Sequence, residues 1–139
     1  MKNRICLGLF LTVFLILTAC GNDDKTFSDL TTDELKNFIS EKNTGFILYT
    51  YDDDNMEVNK EQVKKALDNN DQTSKYFNYR DQVTNEQSST FHNDVGSEQL
   101  RDSLGYYENG ILMAEFEFPN KWNAEQIDNL NKFIEQISE

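Results

Sequence analysis

The densest set of potential ligand side chains is an acidic run, Asp52-Asp53-Asp54-Asn55-Met56-Glu57, which stands directly before an expected helix. Carboxylate and amide oxygens are the ligands that calcium and other hard cations prefer. The spacing does not match an EF-hand loop, because the sixth position counted from Asp52 is Glu57, where that loop requires glycine. Asp52, Asp54 and Glu57 are therefore weak candidates for a metal site. The alternative interpretation is a solvated acidic loop near the positive end of a helix.

The residue types common in enzyme active sites are few and scattered. There is one histidine, His92, and a single histidine cannot form the multi-histidine sites of zinc enzymes. Ser88, Ser89 and Ser97 are close to it in sequence, but no glycines frame them in the pattern of a nucleophile elbow. The sequence therefore predicts no catalytic residue and no cofactor. An enzyme with unfamiliar chemistry stays a less favoured alternative.

Both cysteines stand at or before position 20, which excludes a disulfide scaffold for the remaining residues. Cys6 lies in an apolar run, Ile5 to Ala19, that follows a short basic start at Met1 to Arg4. The run has the length of a signal-peptide core and is shorter than the roughly 20 residues that a membrane-spanning helix needs. It ends in Leu17-Thr18-Ala19-Cys20. The segment resembles the signal peptide and lipobox of bacterial lipoproteins.

This resemblance implies export, cleavage between Ala19 and Cys20, and attachment of a diacylglycerol, with acyl chains such as palmitate, to the Cys20 sulfur. Two acyl chains hold a domain firmly on a bilayer. We therefore expect a cleaved signal peptide over residues 1–19, a lipidated cysteine and short tether over 20–28, and one domain over 29–139. The expected location is the extracytoplasmic face of the cell membrane, and the composition suits a Gram-positive bacterium. An uncleaved signal anchor with a chance cysteine is the alternative.

The charge balance excludes one large class of partners. The 139 residues include 25 acidic and 13 basic side chains, and the net charge of -12 becomes -14 once Lys2 and Arg4 leave with the signal peptide. Nucleic-acid binding needs clustered lysine and arginine, so no nucleic-acid partner is expected. Anionic lipid repels a domain of this charge, so we expect it to be solvated above the membrane.

Three helix starts are predicted from one repeated device, in which a capping residue precedes a Glu or Gln by three positions. The pairs are Thr31 with Glu34, Asn59 with Gln62, and Asn123 with Gln126. Apolar residues at helical spacing follow each start. The expected core faces are Leu35, Phe38 and Ile39; Val63, Ala66 and Leu67; and Ile127, Leu130, Ile134 and Ile137.

Strand signals lie between these helices. A continuous apolar run from Phe46 to Tyr51 predicts a strand buried on both faces, and the shorter aromatic run from Lys75 to Tyr79 predicts a second. Ser103 to Tyr107 and Ile111 to Phe118 predict a hairpin around Asn109-Gly110, a pair that favours a type I′ turn. The aromatic residues of these strands are expected mainly in the core.

The polar stretch from Asp81 to Ser97 predicts a long loop, followed by a short helix near Ser97 to Asp102. The order of elements resembles that of the thioredoxin superfamily over roughly residues 31–139. The most specific stretch is Leu104-Gly-Tyr-Tyr-Glu-Asn-Gly110 with its return strand and the helix after Asn123. The resemblance implies an α/β fold with a central mixed sheet of about four strands, flanked by helices.

Redox-active members of that superfamily carry two cysteines, separated by two residues, between the central strand and the next helix, where the helix N-terminus lowers the thiol pKa. The corresponding stretch here, Asn55 to Val58, contains no cysteine. The position of the family's cis-proline falls near Asp102, before Ser103, and is not proline either. Because the reacting groups are missing, we expect no thiol–disulfide activity and no enzyme.

Together these features predict a membrane-anchored extracytoplasmic lipoprotein with a redox-inactive thioredoxin-like domain that acts as a protein-binding or accessory module. Its expected partners are the lipid bilayer, through diacylglyceryl-Cys20, and an extracytoplasmic protein. The expected binding surface is formed by Asp53, Asn55, Met56, Asp102 and Ser103. The alternative is a lipoprotein that binds a cation or a small solute through the acidic loop 52–57.

Overall fold

The computed structural model describes residues 25–51 and 54–139. The predictions made for the signal peptide, Cys20, Asp52 and Asp53 lie outside these residues. No helix within the described ranges is long and apolar enough to cross a membrane.

A five-stranded mixed sheet forms the centre of the fold, in the order β1-β3-β2-β4-β5. Its strands are β1 (Phe27–Asp29), β2 (Gly45–Thr50), β3 (Ser74–Asn78), β4 (Ser103–Glu108) and β5 (Ile111–Glu117). β1 and β2 run parallel to β3, whereas β4 is antiparallel to both β2 and β5. The expected mixed sheet is present, and it contains one strand more than the sequence predicts.

The additional strand is β1, which includes Phe27 and Ser28 from the expected tether. Three residues are too few to show the alternation that identifies a strand in sequence. Hydrogen bonds flank its pairing with β3: the Leu30 amide donates to the Tyr76 carbonyl at 2.7 Å, and the Ser74 amide donates to the Thr26 carbonyl at 2.8 Å. Phe27 and Ser28, which the sequence places in the tether, are therefore part of the sheet.

The helices within the described residues are α1 (Thr32–Ser40), α2 (Met56–Asn69), α3 (Tyr79–Gln82), α4 (Phe91–Val95) and α5 (Ala124–Ser138). The predicted starts of α1 and α5 are confirmed. The Thr31 and Glu34 side chains each accept the other residue's backbone amide, and the Asn123 side chain accepts the Gln126 amide.

The predicted start of α2 is wrong. The helix begins at Met56, and Asn59 lies inside it with only 3% of its surface exposed. The Asn59 Oδ1 accepts a hydrogen bond from the Trp122 indole Nε1 at 2.8 Å, which satisfies a polar group that would otherwise be buried unpaired. The spacing of Asn59 and Gln62 matches that of a capping pair. An asparagine can also serve as a buried hydrogen-bond acceptor, as Asn59 does here, and the sequence alone does not distinguish these two roles.

The long loop expected from Asp81 to Ser97 includes the end of α3 and the whole of α4, and the short helix expected near Ser97 to Asp102 is not formed. Gly96 ends α4 in the left-handed conformation, with φ of 75°. Beyond it the backbone is irregular, because side-chain hydrogen bonds of Ser97 and Gln99 replace helical ones. The predicted hairpin is confirmed, with positive φ at Asn109 and Gly110 as a type I′ turn requires.

The helices cover the two faces of the sheet in separate layers. The α1 face is covered by α1, α3 and α4, and the α2–α5 face by the two longest helices. The aromatic residues expected in the core are largely found there, with Tyr49, Phe77, Tyr79 and Tyr107 each at most 2% exposed. Tyr51 is an exception at 42% exposed, and it lies at the end of β2.

Candidate functional site

The segments expected to form a binding surface meet where β2 ends and β4 begins. Tyr51 follows β2, and Asp102 precedes β4. The Asp102 Oδ1 accepts a hydrogen bond from the Tyr51 backbone amide at 2.9 Å. Asp102 adopts φ of 55°, in the left-handed region where aspartate is one of the better-tolerated residues. This bond fixes the loop before β4 against the end of β2.

A small cleft of about 160 Å³ opens beside this junction. Its walls include two amides, two carboxylates, one guanidinium and one proline, from Asn55, Asn59, Asp102, Glu117, Arg101 and Pro119. Small-molecule sites commonly enclose about 300 to 1,000 Å³, so this cleft fits a side chain of a partner better than a whole ligand. Of the predicted surface residues, Asn55 and Asp102 line it.

Ser103 and Met56 do not present their side chains to this surface as expected. Ser103 is fully buried, where its hydroxyl donates to the Leu100 carbonyl at 2.8 Å and accepts from the Gln99 Nε2 at 3.1 Å. Its assignment to a binding surface is wrong, since β4 is an inner strand whose first residues are buried on both faces of the sheet. Met56 is half-buried, and its sulfur accepts the Tyr76 hydroxyl at 3.6 Å. Asp53 lies outside the described residues.

The cation-site hypothesis concerns residues of which the structure describes only part. Asp54 and Glu57 are exposed. Within residues 25–51 and 54–139, no group of three or more His, Cys, Asp or Glu side chains is arranged to hold a metal ion. Asp52, the third candidate ligand, is not among those residues, so the metal site stays a prediction.

The residues that could supply a Ser-His-Asp set have other partners. The His92 Nδ1 lies 2.8 Å from the Ser97 carbonyl oxygen, and its ring packs against Phe91. The Ser97 hydroxyl shares a short hydrogen bond with the Tyr107 hydroxyl, and the Ser88 hydroxyl accepts from the Arg101 side chain. Neither hydroxyl is directed at the histidine, so their positions match structural roles.

Arg101 is a site residue that the sequence does not single out. Its guanidinium carbon lies 4.7 Å from the centre of the Tyr51 ring and 4.4 Å from that of the Tyr79 ring. Its Nη2 donates to the Ser88 Oγ at 3.0 Å and to the Tyr79 hydroxyl at 3.3 Å. We call Tyr51, Tyr79 and Arg101 the tyrosine–arginine cluster. Its members are distant in sequence, so no local motif indicates it.

Tyrosine hydroxyls lie in the core of the α1 face. Burial raises the pKa of Tyr107 to about 12, and it raises the pKa of Tyr49 well above its usual value. Both side chains therefore stay protonated at neutral pH. They serve as neutral core residues and supply neither a base nor a nucleophile to the cleft.

The stretch that the resemblance equates with the redox motif, Asn55 to Val58, lies at the start of α2. Asn55 precedes the helix, and Met56 to Val58 form its first turn. No peptide bond in the described ranges is cis, and the residue before Ser103 is an aspartate. The only sulfur in this stretch is the thioether of Met56, which cannot form a disulfide.

No protein-family model matches the sequence, and no curated protein matches it. A solved structure described as the J-Trx1 fragment of ERdj5 is similar, with a TM-score of 0.53 and 16% sequence identity. The match covers 84% of this chain and 54% of that structure, so this chain spans about half of its length. The expected fold class is confirmed: the protein has a thioredoxin-like α/β fold. At this identity the likeness establishes fold alone.

Proposed function

We propose that this protein is a membrane-anchored extracytoplasmic lipoprotein whose thioredoxin-like domain binds a protein partner and carries out no thiol–disulfide exchange. The proposal combines the lipobox at Leu17 to Cys20 with the absence of any cysteine after position 20. Lipidation would consume the thiol of Cys20. A domain of this shape would then act by contact, because it has no thiol to react.

The tyrosine–arginine cluster beside the cleft is the observation that favours protein binding. Tyrosine and arginine are enriched at the energetically dominant positions of protein interfaces. Tyr51 exposes 42% of its surface, although a large aromatic side chain is stabilised by burial. The adjacent cleft, at about 160 Å³, has room for a partner's side chain. This end of the sheet is therefore the surface on which we place the partner.

Site-specific photo-cross-linking in intact cells tests the location of the partner. A photo-reactive amino acid replaces Asn120, which is exposed at the cleft, and in a control protein it replaces Gln136 on the outer side of α5. We expect a discrete protein adduct from position 120 and none from position 136. Adducts from neither position would contradict the protein-binding proposal.

The anchor is tested separately with Cys20→Ala. We expect the wild-type protein in the membrane fraction with a covalently attached acyl label, and the variant without the label and unprocessed. Labelling of the variant, or an unlabelled wild-type protein, would contradict lipidation. Loss of the anchor alone leaves the binding surface intact, so the two parts of the proposal fail independently.

A further inference from the structure

Arg101 and Lys60 both lie over aromatic rings, Lys60 at 4.0 Å from the centre of the Tyr76 ring, whereas several other cations of the domain are held by carboxylates. Three lysines form ion pairs with a carboxylate one helical turn away: Lys64 with Asp68, Lys65 with Glu61, and Lys132 with Asp128. Arg101 forms no ion pair with any described residue, although acidic side chains outnumber basic ones 25 to 13 in the sequence. Neutral tyrosine rings and hydroxyls hold it instead.

The guanidinium is fixed before any ligand arrives. Both hydrogen bonds of Arg101 use Nη2, so Nη1 and Nε have no hydrogen-bond partner among the described residues. The contacts with Tyr51 and Tyr79 restrict a side chain that otherwise loses much rotamer freedom on binding. Preorganisation of this kind increases affinity because less entropy is lost when the ligand binds.

We propose that Arg101 recognises a carboxylate of the protein partner, either an Asp or Glu side chain or the carboxyl terminus of the polypeptide. This inference rests on the proposed protein-binding function. A planar guanidinium with free N–H groups is the side chain best suited to a carboxylate. Asp102 and Glu117 lie in the same cleft, so a dianionic phosphate would meet more repulsion than a singly charged carboxylate.

Titration of the full-length protein in detergent micelles tests the site without knowledge of the partner. The sequence has three arginines, Arg4, Arg80 and Arg101, so the NMR spectrum of arginine Nε groups is easily assigned by substitution. We expect the Arg101 signal to move and saturate with sodium acetate, at constant ionic strength, and the Arg80 signal to move less. Equal movement of both signals, or a stronger response of Arg101 to inorganic phosphate, would overturn the inference.

Two further probes distinguish the sources of the carboxylate. N-acetylglycine presents a main-chain carboxylate, and the amide of N-acetylaspartic acid presents a side-chain carboxylate. Tighter binding of the first assigns a polypeptide terminus, and tighter binding of the second assigns an acidic side chain. If neither binds more tightly than its fully amidated analogue, a carboxylate is not what Arg101 recognises.

Cross-linking from position 120 connects the site to the partner. We expect Arg101→Gln to reduce the yield of adduct at least about tenfold, because a charge-assisted contact is lost, whereas Arg80→Gln leaves it unchanged. Equal yields from wild type and Arg101→Gln would overturn the inference and leave protein binding intact. An Arg101 signal that saturates with acetate, without any adduct, would instead contradict the proposed function and leave the carboxylate site.

Discussion

The two faces of the sheet are filled in different ways. On the α2–α5 face, two long helices pack mainly aliphatic side chains such as Leu67, Leu130 and Ile134 onto the strands. The buried Asn59 of α2, bonded to Trp122, is a polar exception beside the cleft. On the α1 face, one helix of nine residues, two short helices and an irregular segment cover the sheet, and the interior includes polar side chains. These are Ser97, Gln99 and Ser103, with the hydroxyls of Tyr49 and Tyr107.

This difference shows which kind of interaction determines the arrangement of each part of the fold. Apolar burial is non-directional, so it holds two amphipathic helices on a sheet without fixing individual bonds. A buried hydrogen-bond network is directional, and each unsatisfied member costs stability. The irregular segment of the α1 face depends on such bonds, and the same segment ends in Arg101 and Asp102. Arg101 and Asp102 of the candidate site therefore come from the segment that hydrogen bonds define, whereas Asn55 and Asn59, at the start of α2, line the cleft from the other face.

The largest effect is expected from a cavity on the α2–α5 face. Leu130 is fully buried, so Leu130→Ala should lower the free energy of unfolding by about 2 to 5 kcal/mol, from lost apolar burial and an unfilled cavity. Urea denaturation followed by fluorescence of Trp122 measures it. Ile127→Ala, in the same helix but 37% exposed, should cost far less. Similar losses for both variants would contradict the view that central burial stabilises this face.

The close packing of Gln99 against Gly105 on the α1 face can be tested by adding a methyl group at the glycine. An added Cβ at Gly105 would lie 2.6 Å from the Cδ of Gln99, which fills the space that the glycine leaves open. Gly105→Ala should therefore destabilise the fold by about 1 to 3 kcal/mol through overpacking. Gln99→Ala also destabilises, because Gln99 Nε2 donates to the Ile47 carbonyl at 2.9 Å.

The two substitutions together sharpen this test. Because Gln99→Ala removes the atoms that the new methyl group would meet, the double variant should lose less stability than the sum of the single variants, by about 1 kcal/mol or more. Chemical denaturation of the four proteins completes the cycle. Strict additivity would show that the alanine methyl group and Gln99 do not compete for the same space.

The same difference between the two faces explains which elements of the fold can be predicted from the sequence. The core positions of α5, such as Leu130 and Ile134, follow helical periodicity, and Asn123 marks its start, so local residues suffice. The hairpin is equally local, since Asn109-Gly110 determines its turn. These elements contain the stretch that most resembles thioredoxin-like proteins, which is why the fold class is predictable.

The candidate site is predictable only in part. The family resemblance implies that Asp102 lies near the end of β2, and the hydrogen bond between the Tyr51 amide and Asp102 spans 51 positions in the sequence. The contacts of Arg101 with Tyr51 and Tyr79 have no local signature for the same reason. Ser103 is misplaced at the surface because the inner position of β4, between β2 and β5, is set by strand pairing across the sheet and buries both faces at its start.

A smaller effect at neutral pH is expected from the hydroxyl of Tyr107, which bonds to Ser97. Tyr107→Phe should cost about 1 kcal/mol at pH 7, the usual value of a buried hydrogen bond. At alkaline pH the difference in unfolding free energy between the wild-type protein and Tyr107→Phe should shrink. The folded pKa of Tyr107 is about 12 against an ordinary 10.0, so the unfolded protein loses this proton first, and wild-type stability falls as pH rises from about 10 to about 12.

Tyr107→Phe removes the part of the stability loss at alkaline pH that comes from ionisation of this tyrosine. Urea midpoints of both proteins at pH 7, 10 and 11 measure it, and we expect the two stability curves to converge as pH rises. Tyr49 and Tyr76 also have raised pKa values, so the variant keeps part of the decline. Curves that stay parallel over this range would show that folding does not raise the pKa of Tyr107.

The smallest effect is expected from removing the Tyr49 hydroxyl. Tyr49→Phe and Tyr107→Phe each remove one buried hydroxyl oxygen, so the two variants are directly comparable. Tyr49 is fully buried on the same face, and its hydroxyl makes no well-aligned hydrogen bond with a described residue, although the Ser97 and Tyr107 hydroxyls lie near it. Because that oxygen lost its bonds to water on folding and gained no well-aligned bond in their place, Tyr49→Phe should change the free energy of unfolding by less than about 0.5 kcal/mol or raise it. The same urea denaturation at pH 7 measures the difference. A loss of stability as large as that of Tyr107→Phe would show that the Tyr49 hydroxyl takes part in the buried hydrogen-bond network. The network would then reach β2 through this side chain.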